Sequence, residues 1–291
     1  MGWRIVSISR LCKLDYKMDY LVMREREETT RIHLSEIDVL ILESTAISLT
    51  AYLLRELDRR KIAVIFCDET RTPYAVLASL YGSHDTALRY RQQVEWRPET
   101  REQVWAEIVR CKILGQASVL PAENRREREL LLAYLDEVMP GDATNREGHA
   151  AKVYFNALFG KDYTRNQDCA QNAALNYGYA LLLSATAREI TAAGYCTQLG
   201  LFHSNRFNRL NLASDLMEPF RPFVDACVRD MQPTEFGREE KRALIGVLNR
   251  QLLLNGKRQY LLNALRLYVL SVLEALEHDE PSRICFPAYE P

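Results

Sequence analysis

The chain is short of several things. It holds five histidines, and its seven cysteines (12, 67, 111, 169, 196, 227 and 285) form no Cys-x-x-Cys pair and no Cys/His zinc spacing. A structural zinc centre is therefore excluded as the organising feature, since such sites need closely spaced thiolates and imidazoles. The odd count, with thiols inside apolar runs such as Ile65-Phe66-Cys67, points to reduced core thiols and a cytoplasmic protein. No apolar run reaches the roughly 18 residues of a membrane span. The opening Met-Gly-Trp-Arg-Ile-Val lacks the charged and apolar regions of a signal peptide. A formal net charge of -1 gives no overall case for nucleic acid. There is no internal repeat.

What is present reads as two styles of sequence. At 291 residues and 47% hydrophobic, the chain has room for one large or two modest domains. Residues 3–9, 20–24, 30–34, 39–43 and 62–66 are short, rich in Val, Ile, Thr and aromatics, and predict strands. The period at Leu49, Tyr52, Leu53 and Leu57 predicts one helix over 48–60, with Ser48 as its cap. Beyond Pro98 amphipathic patterns predict helices over 100–118, 124–138, 147–159, 166–193, 239–254 and 260–276. Thr144 or Asn145 is the expected cap before Glu147. The expectation is an α+β chain: a small β-rich domain over 1–72, a linker over 73–97, and a larger all-α domain over 98–291.

The stretch from 200 to 225 concentrates the chemistry. His203 follows an apolar turn, and Asp215 and Glu218 stand i, i+3, on one face if the segment is helical. Pro219 is tolerated only near a helix start, which makes Ser214 the expected cap and sets both acids at the positive end of the helix. Acids on a partly buried face need a partner. Arg206, Arg209 and Arg221 are one choice, and a metal ion is the other. Glu147, opening another helix beside Gly148, is a candidate third acid, although an acid in a first turn often does no more than complement the helix dipole. Asn172 and Asn176, i and i+4 on an apolar helix, need hydrogen bonds, either to each other's surroundings or behind acidic ligands. One imidazole among several carboxylates suits Mg²⁺ or Mn²⁺ better than zinc.

At these residues the sequence resembles the CRISPR-associated "Cas-one" adaptation integrases, in the form found in type II systems. The resemblance rests on Gly2-Trp3-Arg4, on residues 32–43, Ile65-Phe66-Cys67-Asp68, Tyr81-Gly82-Ser83-His84-Asp85 and 175–180, and above all on Asp215-Leu-Met-Glu218-Pro-Phe-Arg221-Pro. It implies a β-rich dimerisation domain and a helical catalytic domain. It also implies metal ligands at Glu147, His203 and Glu218, with Asp215, Asn176 and Tyr163 around them. Arg206, Arg209, Arg221 and Lys152 are then candidate phosphate contacts. The implied reaction is attack by the 3′-hydroxyl of a captured spacer on a phosphodiester of the CRISPR repeat, with Mg²⁺ or Mn²⁺ as cofactor. The implied partners are DNA (spacer precursor and repeat), a second copy in a homodimer, and a dimer of a small ferredoxin-like companion protein. The effector nuclease and a further adaptation protein are expected nearby. Two alternatives are a stand-alone metal-dependent nuclease of branched DNA and a non-catalytic helical DNA-binding scaffold.

Overall fold

The computed structural model describes residue 2 and residues 4–26, 28–77 and 83–289. Trp3, Glu290 and the segment 78–82, with Tyr81 and Gly82 of the motif quoted above, lie outside the described residues. The chain divides into two compact units, 1–82 and 83–291.

The first unit contains β1 (Arg4–Ile8), β2 (Lys13–Lys17), β3 (Tyr20–Arg24), β4 (Thr29–His33), β5 (Ile37–Leu42), β6 (Ser48–Leu49), α1 (Ala51–Arg59), β7 (Ala63–Cys67) and β8 (Pro73–Val76). They form two sheets, ordered β1-β5-β7-β8 and β4-β3-β2-β6. In the first sheet β1, β5 and β7 run parallel. Its central residues Val39, Leu40, Ile41, Val64 and Ile65 are fully buried, as parallel strands covered on both faces must be. The core gathers Leu14, Leu21, Leu34, Leu40 and Val64 with Leu53 and Leu57 of α1. Thr50 caps α1, its hydroxyl accepting from the Leu53 N–H at 3.3 Å; Ser48, the expected cap, lies in β6 instead. Strand β2 escapes sequence patterning because only Leu14 of its five residues is buried. Its hairpin turn to β3, Met18-Asp19, has both φ angles positive (48° and 65°), but with Met where such turns favour Asn or Gly.

The second unit contains α2 (Thr86–Val94), α3 (Pro98–Val119), α4 (Arg125–Tyr134), α5 (Arg146–Phe159), α6 (Ala170–Ala192), α7 (Asn211–Leu216), α8 (Arg221–Met231), α9 (Arg238–Val247), β9 (Gln251–Leu254), β10 (Lys257–Tyr260), α10 (Leu261–His278) and β11 (Pro287–Ala288). Helices α3 and α6 bury residues around much of their circumference and form the centre. Among the described residues no helix is long and apolar enough to cross a membrane.

Three expectations are corrected. This unit is not all-α: β9, β10 and β11 form a small antiparallel sheet, and the helix expected to run to 254 stops at Val247. The apolar run Leu252-Leu253-Leu254 fits either period, but Asn255 and Gly256 both take positive φ (50° and 72°) and turn the chain into a hairpin. The segment 73–97 is not a plain linker, since it carries β8, paired with β7, and α2. Gln93 of α2 is buried and bonds the Cys196 carbonyl and N–H, each at 2.8 Å. Finally, Asp215 does not open a helix. It stands near the end of α7; Glu218 and Pro219 begin a separate 3-10 turn that leads into α8.

Candidate active site

The first element is a tight loop held by a buried acid. Asp215, with no exposed surface, accepts the N–H groups of Leu201 (2.6 Å) and Phe202 (3.2 Å) on Oδ2. Its Oδ1 accepts the His203 N–H at 3.1 Å and faces His203 Nδ1 at 2.5 Å. A carboxylate partner fixes the proton on Nδ1 and leaves Nε2 as the outward lone pair. The hydrogen bond it donates to Asp215 also raises the imidazole pKa, against the opposing effect of burial. Only glycine fits at 200, because a Cβ there would lie 2.4 Å from the His203 carbonyl oxygen and 2.7 Å from Asp215 Oδ2. Arg101 clamps the same loop by donating to the carbonyls of Gly200 (2.9 Å) and Leu201 (3.2 Å). Trp105 stacks on Phe202 at 4.7 Å and meets the His203 ring edge-on at 5.9 Å.

The second element is a pair of carboxylates that converge on one cation. Glu147 stands in the first turn of α5, whose free N–H groups are taken by Asp142 rather than by Thr144 or Asn145: Arg146 N donates to Oδ1 at 2.8 Å and Glu147 N to Oδ2 at 3.0 Å. Glu218 lies buried in the 3-10 turn. Lys112 of α3, also buried, places Nζ 2.6 Å from Glu147 Oε1 and 2.5 Å from Glu218 Oε2. Arg221 takes the other oxygen, Oε1 of Glu218, at 2.6 Å. Burial alone would raise the Glu218 pKa, but Arg221 and Lys112 outweigh it and hold the carboxyl below its ordinary range.

Behind Arg221 lies a buried acid that sequence inspection passes over. The Arg221 guanidinium sits 4.2 Å from the centroid of the Tyr179 ring. The Tyr179 hydroxyl donates to Asp225 Oδ1, and Tyr154 donates to Oδ2 at 3.1 Å. Burial pushes the Asp225 carboxyl up to about 6, against the opposing pull of Tyr179 and Arg221. Asn176 and Tyr163 do not bond the candidate ligands. Tyr163 donates to Asn172 Oδ1, and Arg165 donates to Asn172 (2.5 Å) and Asn176 (2.7 Å) while lying over Tyr179. Thus the two asparagines of α6 share one guanidinium.

Beside His203 opens a cavity of about 450 Å³ whose wall includes Arg101, Arg206 and Arg209. Arg206 and Arg209 are exposed there, and Lys152 is exposed on α5. Arg221, expected as a phosphate contact, is committed to Glu218.

Among the described residues no three His, Cys, Asp or Glu side chains are drawn together closely enough to hold a metal ion as they stand. The donors nonetheless fit one. Two carboxylate oxygens, Glu147 Oε1 and the buried Glu218 Oε2, already define a single cation position, at present taken by the Lys112 ammonium. His203 keeps Nε2 free by bonding through Nδ1. Glu147, Glu218 and His203 are therefore the residues that would hold a divalent ion. Sequence reading missed Lys112, Arg165 and Asp225; a lysine inside Val109-Arg110-Cys111-Lys112-Ile113-Leu114 was the one visible sign.

An acid-and-imidazole centre rimmed by arginines thus lies on a helical unit that follows a β-rich one in the chain. The comparisons make that specific. The family model for "CRISPR associated protein Cas1" matches residues 8–244. The CRISPR-associated endonuclease Cas1 of Neisseria meningitidis is 38% identical over 229 residues, 78% of this chain and 75% of that protein. A chain of a "Cas6-RT-Cas1--Cas2 complex" superposes with TM-score 0.77 at 19% identity, covering 100% of this chain and 36% of that longer one. A "casposase bound to integration product" gives TM-score 0.75 at 18% identity over 96% of this chain and 91% of its own. The chain belongs to the CRISPR-associated Cas1 family.

Proposed function

We propose that the chain is a metal-dependent DNA integrase and endonuclease that inserts short foreign DNA into a CRISPR array. The observation that carries this reading is the convergence of Glu147 and Glu218 on one cation position beside an Asp215-held His203, in a chain of the Cas1 family. Glu147, Glu218 and His203 Nε2 would hold Mg²⁺ or Mn²⁺, which suit oxygen-rich donor sets. When bound, such an ion polarises the attacked phosphate and stabilises charge on the entering and leaving oxygens.

The protein's own groups do the rest. Asp215 holds the imidazole in one tautomer and one orientation. Arg206, Arg209 and Lys152 meet phosphates and position DNA without reading bases. In the reaction a spacer 3′-hydroxyl oxygen bonds to phosphorus as the bond to the repeat's leaving 3′-oxygen breaks. The attacking hydroxyl gives up its proton to solvent, and the leaving oxygen takes one up. One phosphodiester replaces another, so no nucleoside triphosphate is consumed.

Joining both ends of a spacer to two strands needs more than one such site. The reading therefore includes a homodimer formed through the β-rich unit, in the cytoplasm, with a small companion protein between dimers. The likeness to a chain of a Cas1–Cas2 complex supports that companion. The test offers a repeat-containing plasmid and a duplex with free 3′-hydroxyls. Covalently joined product that disappears with 3′-deoxy ends supports integration. Cut plasmid with no joined product under any condition points instead to a hydrolytic nuclease.

A further inference from the structure

Lys112 has no part in the reading above, yet it occupies its centre. Its ammonium touches both candidate ligand carboxylates, at 2.6 and 2.5 Å. It reaches them from the middle of α3, with its side chain 7% exposed. We propose that Lys112 is a built-in counter-ion that holds the divalent-cation position in the metal-free protein, competes with the metal for Glu147 and Glu218, and swings away when the metal binds. The proposal rests on the metal-binding reading of this site and adds to it the group that sets the affinity.

Three features support it. First, the backbone under Glu147 and the side chains of Glu218 and His203 are anchored without Lys112. Asp142 holds the start of α5 under Glu147, Arg221 holds the second oxygen of Glu218, and Asp215 holds His203. Removing the ammonium therefore leaves Glu218 and His203 in place and the Glu147 carboxylate on a fixed helix turn. Second, the contact with Glu218 Oε2 is an ammonium–carboxylate pair at 2.5 Å, made by a compact head group with three rotatable donors, so a stronger cation can take its place. A divalent ion carries twice the charge and draws oxygens in to about 2.0–2.2 Å, closer than an ammonium permits. Third, a compact ammonium on a flexible four-carbon stem can retreat where a planar guanidinium could not.

The test is direct Mn²⁺ binding to the full chain without DNA, by calorimetry and by electron paramagnetic resonance of free Mn²⁺. Wild type, Lys112→Met and Lys112→Arg are compared, with Glu147→Gln as the ligand control. Lys112→Met should bind Mn²⁺ about tenfold more tightly, because the position is no longer shared. Lys112→Arg should bind no better than wild type. Equal or weaker binding by Lys112→Met overturns the proposal while leaving the metal site standing. Failure of both wild type and Lys112→Met to bind Mn²⁺ overturns the metal reading itself, and this proposal with it. Should Lys112→Met fail to fold, a crystal structure of Mn²⁺-soaked wild type decides. Nζ withdrawn from both carboxylates supports the proposal, and Nζ still in contact with both overturns it.

Discussion

Asp215 Oδ1 meets His203 twice, accepting its backbone N–H at 3.1 Å and facing ring Nδ1 at 2.5 Å. One carboxylate thus fixes the path of the loop and the aim of the imidazole together. Asp215→Asn keeps the shape but cannot accept all four bonds. Integration and Mn²⁺ affinity should each fall about 10- to 100-fold, the usual cost of losing a partner behind a ligating histidine. A melting temperature that collapses together with activity would instead show that Asp215 serves the loop alone.

The same loop predicts intolerance at Gly200. A methyl group there would press on the His203 carbonyl and on Asp215. Gly200→Ala should cost about 1–3 kcal/mol of stability by overpacking and should abolish integration in protein that is still folded. Thermal unfolding and activity at a temperature well below the midpoint separate the two effects.

Glu218 is buried between two cations, Lys112 and Arg221. Glu218→Gln leaves both with too little counter-charge. The metal-free protein should lose about 3 kcal/mol, as when one partner of a buried pair is removed. Denaturant unfolding in chelator measures this. A loss below 1 kcal/mol would place these charges in water.

Asp225 carries a pH signature. Its carboxyl titrates at about 6 when folded against 3.8 ordinarily, so the folded state holds that proton longer. With more protons bound folded than unfolded, this group's contribution to stability falls as pH rises from about 4 to about 6 and is flat above. Wild type compared with Asp225→Asn across pH 4–8 isolates the effect. A wild-type advantage that grows with pH over that window would reverse the sign and refute the burial argument.

Arg206 and Arg209 are exposed on the cavity wall beside His203. If they meet phosphates, each alanine substitution should reduce the salt slope of DNA binding by about 0.9 and weaken all sequences alike. An unchanged slope would place the DNA elsewhere.

Much of this was legible in the chain, and the exceptions have physical reasons. Strand and helix periods located most elements, while β2 failed because a single residue of it is buried. The hairpin at Asn255-Gly256 follows three leucines that suit a helix and a strand equally, so periodicity alone carries the helix too far. Glu147, His203, Asp215 and Glu218 stood out by residue type and spacing. Their partners did not. Lys112 meets Glu147 and Glu218 only once α3, α5 and the 3-10 turn are packed, and no local pattern encodes that meeting. The backbone of Asp142 is left-handed, with φ 51°, and its capping of α5 likewise depends on a turn that sequence alone points to only through Pro140-Gly141.

In the proposed reaction Glu147, His203 and Glu218 together hold a divalent ion that integration requires. The most direct measurement is strand joining to a repeat-containing plasmid, with the companion protein present and Mn²⁺ titrated from chelator to saturation. Wild type is set against Glu147→Ala, His203→Ala and Glu218→Ala, each shown folded by circular dichroism. Joined product is expected only with wild type and only with metal. Joined product at wild-type level in chelator, or in any of the three variants at saturating Mn²⁺, would contradict it.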